Sequence, residues 1–364
     1  MSERRKKVAI AMSGGIDSSV AAVLLKEQGY EVIGLTMKLW DFDKVGGEDK
    51  HTSGRCCSLE TFEDARRVCY KVDIPHYVLN MVEDFEQTVI ADFLSEYRAG
   101  RTPNPCVVCN TRIKWELLER RVRELGCDFL ATGHYARIKH DDESNRYQLL
   151  RGVDRSRDQS YFLWGLNQKS MARTLFPLGE LQKSQVRELA RKYGLRNADR
   201  PESREICFVI DDDYSRLLRE REAQPVGEGV IRDMSGAVVG SHNGYYNYTI
   251  GQRRGIQIAT TEKHYVVDIK PETNEIVIGD DADLWRNTCE IGQVNWIARE
   301  PALGDSLDAQ VKIRYLHTPA AATLTLTTPN HVAAKFTEPQ RAITPGQSAV
   351  FYHGDLVLGG GRII

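Results

Sequence analysis

The 364-residue chain lacks any run of eighteen consecutive apolar residues, so the sequence predicts no membrane-spanning helix. Its first residues, MSERRKK, lack the apolar core of a secretory signal and lead directly into a predicted strand. Internal repeats and low-complexity tracts are also missing. We therefore expect a cytoplasmic, globular protein without membrane association, and the length favours two or three domains.

The chain also lacks an overall charge of one sign. Its formal net charge is −2, with 41% hydrophobic and 27% charged residues, which is typical of globular proteins. The charge is uneven, because residues 146–204 hold thirteen Arg or Lys against six Asp or Glu. This excess would suit a polyanion, although the charge alone slightly favours a solvated helical surface.

Cysteine is not scarce, but the pattern typical of a secreted disulfide framework is missing. Eight cysteines in a long chain without a secretory signal are expected to stay reduced. Cys106 and Cys109 have CxxC spacing beside a predicted helix, and Cys207 follows a polar loop. These three sulfurs indicate metal or redox chemistry. The vicinal pair Cys56 and Cys57 receives no predicted role.

Residues 8–19, VAIAMSGGIDSS, contain the clearest ligand-binding pattern. A buried strand at 8–12 is followed by Ser13 and two glycines, and a helix then begins near Asp17. Adjacent glycines allow a phosphate to approach backbone N–H groups closely, and the first helical turn presents further N–H groups. The Walker A lysine is missing, so this is a different phosphate loop. The hydroxyls of Ser13, Ser18 and Ser19 are expected to add donors.

The order of elements predicts an α/β fold with a doubly wound parallel sheet, because strands and helices alternate through residue 138. Strand ends at Met37 and Gly133 would lie at the ligand-binding edge. We expect residues 153–200 to be largely helical, and residues 245–256 to form short strands. The predicted domains are 1–209, including the basic segment at 146–204, and two small β-barrel-like domains at 210–280 and 281–364.

Several motifs in one order resemble a known family. They are SGGIDSS, GLTMK, GRTPNPCVVCNTRIKW, ATGHYAR, DQSYFL, ESREICFV, TIGQRRG and KIRY. The chain resembles the tRNA-specific 2-thiouridylases, which are PP-loop ATP pyrophosphatases that make 2-thiouridine at the anticodon wobble position. The match runs from the first strand to residues 346–352, and so covers nearly the whole chain.

The resemblance implies a set of ATP-binding residues and two catalytic cysteines. Cys109 would be the nucleophile, and Cys207 would carry persulfide sulfur. Ala11 stands where the family often has glycine. The implied nucleotide-binding residues are Ala11, Met12, Ser13, Gly14, Gly15, Ile16, Asp17, Ser18, Met37 and Gly133.

The same resemblance implies a tRNA interface and a sulfur donor. The partner would be the anticodon stem-loop, and the donor would be a persulfide carrier protein, a cysteine desulfurase or sulfide. Asn104, Pro105 and Cys106 would contact the target uracil. The other implied tRNA-binding residues are His134, Arg157, Asp158, Gln159, Arg314, Tyr315 and Gln347.

Cys106 departs from the family pattern, which commonly has aspartate at this position. An aspartate beside the nucleophile is a candidate acid or base, and a thiol replaces it poorly at neutral pH. Cys106, Cys109 and Cys207 are instead a credible ligand set for a 4Fe–4S cluster with one open iron. A redox pair also satisfies the CxxC spacing, whereas zinc would lack a fourth ligand. The cluster and the persulfide remain alternatives at this point.

The expected reaction uses ATP to activate a poor leaving group. ATP with Mg²⁺ would adenylate the uracil O2, and a sulfur nucleophile would attack C2 with release of AMP and pyrophosphate. One rival is a synthetase or amidotransferase acting on a small molecule, which would need no sulfur centre. Another is a non-catalytic, zinc-stabilised RNA-binding module, against which the intact SGGIDSS motif argues.

Overall fold

A computed structural model describes residues 4–40, 59–195, 206–209, 213–221, 226–256, 258 and 262–364. Cys56 and Cys57 lie outside the described residues, as do positions 196–204 of the basic segment. By their internal contacts the residues form two units, and each is described by itself below.

The strands alternate with helices in the first half and follow one another closely in the second. They are β1 (Lys7–Ala11), β2 (Glu31–Lys38), β3 (His76–Asn80), β4 (Phe129–Ala131), β5 (Ala136–Asp141), β6 (Arg146–Arg151), β7 (Thr174–Leu175), β8 (Gly229–Arg232), β9 (Val238–His242), β10 (Tyr265–Lys270), β11 (Glu275–Gly279), β12 (Trp285–Trp296), β13 (Ser306–Lys312), β14 (Ala320–Thr328), β15 (His331–Arg341), β16 (Ser348–His353) and β17 (Leu356–Ile363).

The helices are mostly short. They are α1 (Ile16–Glu27), α2 (Leu59–Lys71), α3 (Val82–Phe85), α4 (Ala91–Arg98), α5 (Pro105–Val108), α6 (Glu119–Glu124), α7 (Gln168–Met171), α8 (Lys183–Lys192) and α9 (Tyr214–Arg221). Two π-helical stretches, Glu86–Ile90 and Cys109–Leu118, join neighbouring helices, and 3₁₀ turns occur at Ser160–Phe162, Tyr245–Asn247, Pro271–Thr273 and Asp281–Leu284.

The first unit comprises Met1–Ile90, Cys106–Asp212 and Asp355–Val357. It contains a five-stranded sheet in the order β3-β2-β1-β4-β7, and all of its neighbouring strands are parallel. Strand β1 is apolar from Val8 to Ala11, as expected for a parallel strand that is covered on both faces. Its Val8 and Ile10 are fully buried in one core with Val20 of α1 and Val186 of α8. The predicted α/β class is confirmed.

The basic segment of the first unit is not largely helical, so that prediction was wrong. Between residues 153 and 195 the helical elements are a single 3₁₀ turn, the four-residue α7 and the ten-residue α8. Asp154 Oδ1 accepts a hydrogen bond from the Ser156 N–H, a local bond that competes with helix formation and favours a turn. Asn167 is the N-cap of α7, but that helix ends after one turn at Met171. Strands β5 and β6 of this unit pair antiparallel as a hairpin.

The second unit comprises Ala91–Pro105, Asp213–Gly354 and Leu358–Ile364. It holds a four-stranded sheet, β10-β11-β8-β9, and a run of six strands, β12-β15-β14-β13-β16-β17, which closes into a barrel by pairing β12 with β17. Both sheets agree with the predicted small β domains. Residues 245–256 were wrongly predicted as strands, because a 3₁₀ turn there leads into turns at Gly251 and Gly255, both with positive φ.

In the part of the chain that the structure describes, no helix combines the length and apolar character needed to cross a membrane.

Candidate active site

The loop between β1 and α1 is held together by its own serines. The backbone N–H of Ser13 donates to Ser18 Oγ at 3.2 Å, and the hydroxyls of Ser18 and Ser19 donate to the Gly15 carbonyl at 3.1 and 2.8 Å. Ser18 and Ser19 are buried, whereas Ser13 is exposed. The hydroxyls of Ser18 and Ser19 therefore shape the loop, contrary to the expectation that they would serve a phosphate.

The N-terminus of α1 is open to an anion. Gly15 is its N-cap residue and supplies no side-chain hydrogen bond, so the first N–H groups of this twelve-residue helix have no side-chain cap. An uncapped helix N-terminus beside an exposed serine fits a phosphate through the unpaired N–H groups and the helix dipole. Asp17 lies in the same first turn and offers the oxygen ligands that Mg²⁺ prefers. The residues present therefore fit a magnesium-bound nucleoside triphosphate.

Two glycines are required by close approaches around this loop. Gly14 has a φ of +73°, and a Cβ on it would clash with the carbonyl oxygen of Thr61. A Cβ on Gly133 would lie 2.8 Å from Ser18 N and 2.9 Å from the carbonyl carbon of Asp17. The segment after β4 thus packs directly against the start of α1. The predicted role of Gly133 beside the nucleotide remains a prediction.

Asp17 is engaged by two side chains that the sequence did not single out. Lys183 Nζ lies 2.8 Å from both carboxylate oxygens, and the Tyr135 hydroxyl donates to Oδ1 at 2.7 Å. Lys183 is only 6% exposed. Nothing local distinguishes this lysine within the basic segment, because only folding brings it to a partner 166 residues away. Its position in the predicted basic helical segment, where it is the first residue of α8, was the available signal.

The run Arg157-Asp158-Gln159 is tied to the segment around Tyr135. Gln159 Oε1 accepts from the Tyr135 N–H at 3.0 Å, and the Gln159 N–H donates to the Tyr135 carbonyl at 2.9 Å. Asp158 is buried, and its carboxylate accepts from Gly152 N and from the N–H and hydroxyl of Ser160. Asp158 therefore organises its own loop, whereas Arg157 is partly exposed.

His134 lies between aromatic rings after β4. Its ring centroid is 5.7 Å from that of Trp115 and 5.9 Å from that of Phe176, and its Nδ1 is 2.6 Å from Thr132 Oγ1. Burial, and secondarily the charge of Lys114, hold the pKa of His134 well below its usual range. The imidazole is therefore neutral at neutral pH.

Cys106 and Cys109 lie one turn apart at the start of a helical segment. Cys106 is an exposed thiol in α5, and Cys109 is a partly buried thiol that begins the π-helical stretch. The next residue, Asn110, is buried; its Nδ2 donates to the Phe162 carbonyl at 2.9 Å, and its Oδ1 accepts from Lys114 Nζ at 2.8 Å. These bonds fix the stretch that carries Cys109. π-Helical insertions are frequent at functional sites.

Cys207 is a partly buried thiol in a short turn of residues 206–209. Phe208 anchors this turn, because its buried ring packs against Phe85 with centroids 5.6 Å apart. The described residues contain no group of three or more Cys, His, Asp or Glu side chains that could hold a metal ion. Cys106, Cys109 and Cys207 are all described, so the structure does not assemble the predicted cluster ligands, and they do not fit an iron–sulfur cluster as placed here.

Met37 is the remaining nucleotide-site candidate. It lies partly buried at the carboxyl end of β2, which pairs with β1 at the ligand-binding edge of the sheet.

Met12 is buried and its N–H donates to the Leu35 carbonyl at 2.7 Å. Ala11 ends β1 and Ile16 begins α1. The structure therefore brings together the residues 11–18, Met37 and Gly133.

The second unit holds the other predicted tRNA-binding residues. Gln347 Nε2 donates to the carbonyls of Thr102 and Pro103 at 3.0 and 3.2 Å, which anchors the segment before Asn104 and Pro105. These two residues are partly and fully buried, respectively. Past β13, the Arg314 guanidinium donates to the Arg341 carbonyl at 3.1 Å, and Lys312 Nζ lies 5.3 Å from the Tyr315 ring centroid.

Three family models match consecutive parts of the chain. A model described as a tRNA methyl transferase HUP domain matches residues 6–211, which is more than half of the chain. A tRNA methyl transferase PRC-barrel domain matches residues 218–280, and an aminomethyltransferase beta-barrel domain matches residues 286–363. These descriptions mention methyl transfer, whereas the full-length relatives are named for thiolation.

Full-length relatives resolve that difference. The chain is 50% identical to the tRNA-specific 2-thiouridylase MnmA of Carboxydothermus hydrogenoformans, over 99% of this chain and 98% of the relative. It is 48% identical to the MnmA of Geobacter metallireducens, over 99% and 97%. A solved 4-thiouridine synthetase–RNA complex with bound ATP is 16% identical, covers 57% of this chain and 46% of that one, and has a TM-score of 0.38, too low to carry an argument. With about half of its residues shared over the full length, the chain belongs to the tRNA-specific 2-thiouridylase family.

Proposed function

We propose that this protein thiolates C2 of the wobble uridine of tRNA in an ATP-dependent reaction. The observation that carries the proposal is the uncapped start of α1, with exposed Ser13 and the Asp17 carboxylate, in a chain that is 50% identical over its length to a named 2-thiouridylase. The loop would bind the triphosphate and Asp17 would hold Mg²⁺.

The first step activates the base. The uracil O2 attacks the α-phosphorus of ATP and pyrophosphate leaves, so a poor leaving group becomes AMP. Asp17 would hold Mg²⁺, which would supply charge neutralisation at the phosphates. The backbone N–H groups of the loop and Lys183 supply the remaining positive field. Met37 and Gly133 would line the nucleotide site on either side of β1.

The second step moves sulfur through Cys207 and Cys109. We propose that the terminal sulfur of a Cys207 persulfide attacks C2, whereupon the C2–O bond breaks and AMP leaves. The Cys109 thiolate then attacks Cys207 Sγ, which releases the thiolated base and leaves a Cys109–Cys207 disulfide. An external thiol must reduce that disulfide before the next turnover. Among the described residues no group of three or more Cys, His, Asp or Glu side chains could hold a metal ion, which supports this route over the cluster.

The tRNA partner would be held by the residues that the family resemblance implies. We propose Arg157 and Gln159 with His134 on the first unit, and Arg314, Tyr315 and Gln347 on the second, while Asn104, Pro105 and Cys106 would meet the target base after it leaves the anticodon stack. Asp158 would act indirectly by shaping its loop. We also propose the domains 1–209, 210–280 and 281–364 and a cytoplasmic location. The proposed sulfur donor is a persulfide carrier protein, a cysteine desulfurase or sulfide.

The adenylation step is tested with ATP labelled at the α-phosphate. Wild type should form AMP when given tRNA with an unmodified wobble uridine, and Asp17→Asn should form none while keeping its tRNA affinity, because the carboxylate serves the nucleotide. Asp73→Asn is the matched control, since this exposed carboxylate lies at the far end of α2. AMP formation by Asp17→Asn at the wild-type rate contradicts the loop assignment, and AMP formation without tRNA favours a small-molecule synthetase.

The sulfur carrier is tested by single-turnover thiolation with iron-free and iron–sulfur-reconstituted protein side by side. The persulfide route predicts thiolation by iron-free protein that has been loaded with a persulfide donor, with Cys109 and Cys207 indispensable and Cys106→Ala still active. Activity only after reconstitution, lost together with iron in Cys106→Ala, would overturn this route and restore the cluster.

A further inference from the structure

Lys183 is a buried cation for which the reaction above provides only a general electrostatic role. It is 6% exposed, and both oxygens of Asp17 lie 2.8 Å from its Nζ. An ammonium is buried only when it is paired, because desolvation is costly. Its backbone is also fixed, since its N–H donates to Asp154 Oδ2 at 2.9 Å and the residue begins α8. Only the side chain is left to move.

The partner of Lys183 is the carboxylate to which the proposed function assigns Mg²⁺. In the structure, Lys183 contacts both oxygens of Asp17 and the Tyr135 hydroxyl contacts one of them. Mg²⁺ needs direct coordination at about 2.0–2.1 Å and sheds its water reluctantly. A divalent ion and an ammonium at the same two oxygens would repel each other, so they compete for Asp17.

We propose that Lys183 occupies the Mg²⁺ position on Asp17 until ATP binds, and then transfers its ammonium to the polyphosphate. This inference rests on the proposed function. The triphosphate supplies anionic oxygens for the displaced lysine, whose flexible four-carbon stem and three donors suit a phosphate as a point charge. Mg²⁺ and ATP therefore bind cooperatively, and the loop binds Mg²⁺ only weakly in the absence of ATP.

The competition differs from a purely structural ion pair in one measurable way. If the ion pair were purely structural, replacing Lys183 would destabilise the protein but would not change its metal binding in the absence of ATP. A competing cation, when removed, exposes both Asp17 oxygens. Asp17 retains the Tyr135 hydrogen bond and is 29% exposed at its side chain, so a metal ion can reach it.

The test titrates full-length protein with Mn²⁺ alone, without ATP or tRNA, and follows the free ion by electron paramagnetic resonance. Lys183→Met should bind Mn²⁺ at least about tenfold more tightly than wild type, the coupling expected between two ligands of one site. Adding Asp17→Asn to Lys183→Met should abolish the gain. Lys192→Met, an exposed lysine at the other end of α8, should behave as wild type.

A second readout addresses the polyphosphate contact. In Lys183→Met the dissociation constant of a non-hydrolysable ATP analogue with saturating Mn²⁺ should rise about tenfold, and Lys183→Arg should keep most of the affinity. If Lys183→Met does not fold, Lys183→Gln retains a donor without the charge and carries the same expectations.

Equal Mn²⁺ affinity in wild type and in folded Lys183→Met or Lys183→Gln overturns the inference and leaves a structural ion pair. The outcome is separate from that of the proposed function, because the titration needs no tRNA. A protein that shows the Mn²⁺ effect but makes no tRNA-dependent AMP would contradict the proposed function alone.

Discussion

At the scale of single residues, His134 is a titratable side chain placed where it cannot easily take up a proton. Its pKa is held well below the usual range, mainly by burial and further by the charge of Lys114. An unfolded histidine titrates at about 6.5. Below that pH the unfolded state binds a proton that the folded state does not bind, so acid favours unfolding.

The prediction is that wild type loses stability relative to His134→Asn as the pH falls from 7.5 to 5.5. The slope of the difference should approach at most about 1.4 kcal/mol per pH unit, the value for one proton. The free energy of unfolding in urea, measured at several pH values, checks this. His76, His242 and His317 also have lowered pKa values, but they are present in both proteins and cancel. A difference that stays constant with pH would contradict the burial of His134.

The candidate site also shows which functional residues can be predicted from the sequence and which cannot. Gly14 and Asp17 were predicted because the phosphate-loop pattern is local, with its glycines, strand and helix start in one run. Lys183 was missed because its role arises from a contact across 166 residues. Asp158 was predicted to face tRNA, and only the fold reveals that its carboxylate is occupied by backbone and serine donors.

At the scale of elements, the π-helical stretch Cys109–Leu118 begins with the proposed nucleophile Cys109 and is held in place by the side-chain amide of Asn110. Asn110 is 3% exposed and joins Phe162 O to Lys114 Nζ. Asn110→Ala should destabilise the protein by about 1–3 kcal/mol, because it removes the two hydrogen bonds of a buried amide. It should also slow sulfur transfer more than AMP formation, since Cys109 loses its support.

Arg112→Ala provides the matched control on the same stretch. Arg112 is exposed and pairs with exposed Glu116, so its loss should change stability by less than about 1 kcal/mol. Denaturant unfolding and separate assays of AMP and thiolated tRNA check both variants. Equal losses of AMP formation and sulfur transfer in Asn110→Ala would indicate a general destabilisation rather than support of Cys109.

Helices and strands could be predicted where the hydrophobic periodicity and the turn residues indicate the same boundaries. The apolar run of β1 followed by two glycines predicted β1 and α1 nearly to the residue. Residues 153–195 were wrongly predicted to be largely helical, because the basic character of the segment does not reveal local turns such as the one in which Asp154 accepts from the Ser156 N–H. The prediction of short strands at residues 245–256 was wrong because Gly251 and Gly255 adopt positive φ, which ends strand pairing.

At the scale of the whole molecule, tRNA binding should depend on salt through a few phosphate contacts on each unit. Arg314→Ala should lower the slope of log K against log salt by about one, because one phosphate contact is lost. Filter binding of tRNA at several salt concentrations measures the slope. Lys335→Ala removes an exposed charge from β15 of the same barrel and should leave the slope unchanged. An unaltered slope in Arg314→Ala would remove this residue from the interface.

The three residues Asp355–Val357 belong to the first unit although residues 213–354, which belong to the second, are synthesised before them. Asp355 pairs there with Arg137 at 2.7 Å and also with Arg155, and Leu356 pairs with Leu150 of β6. A ribosome that has made only the phosphate loop and the parallel sheet has not yet supplied this carboxylate. The first unit therefore emerges early but closes late, and a fragment ending at residue 212 would lack the Asp355 carboxylate that pairs with Arg137 and Arg155, although Arg137 would keep Glu180 at 3.6 Å.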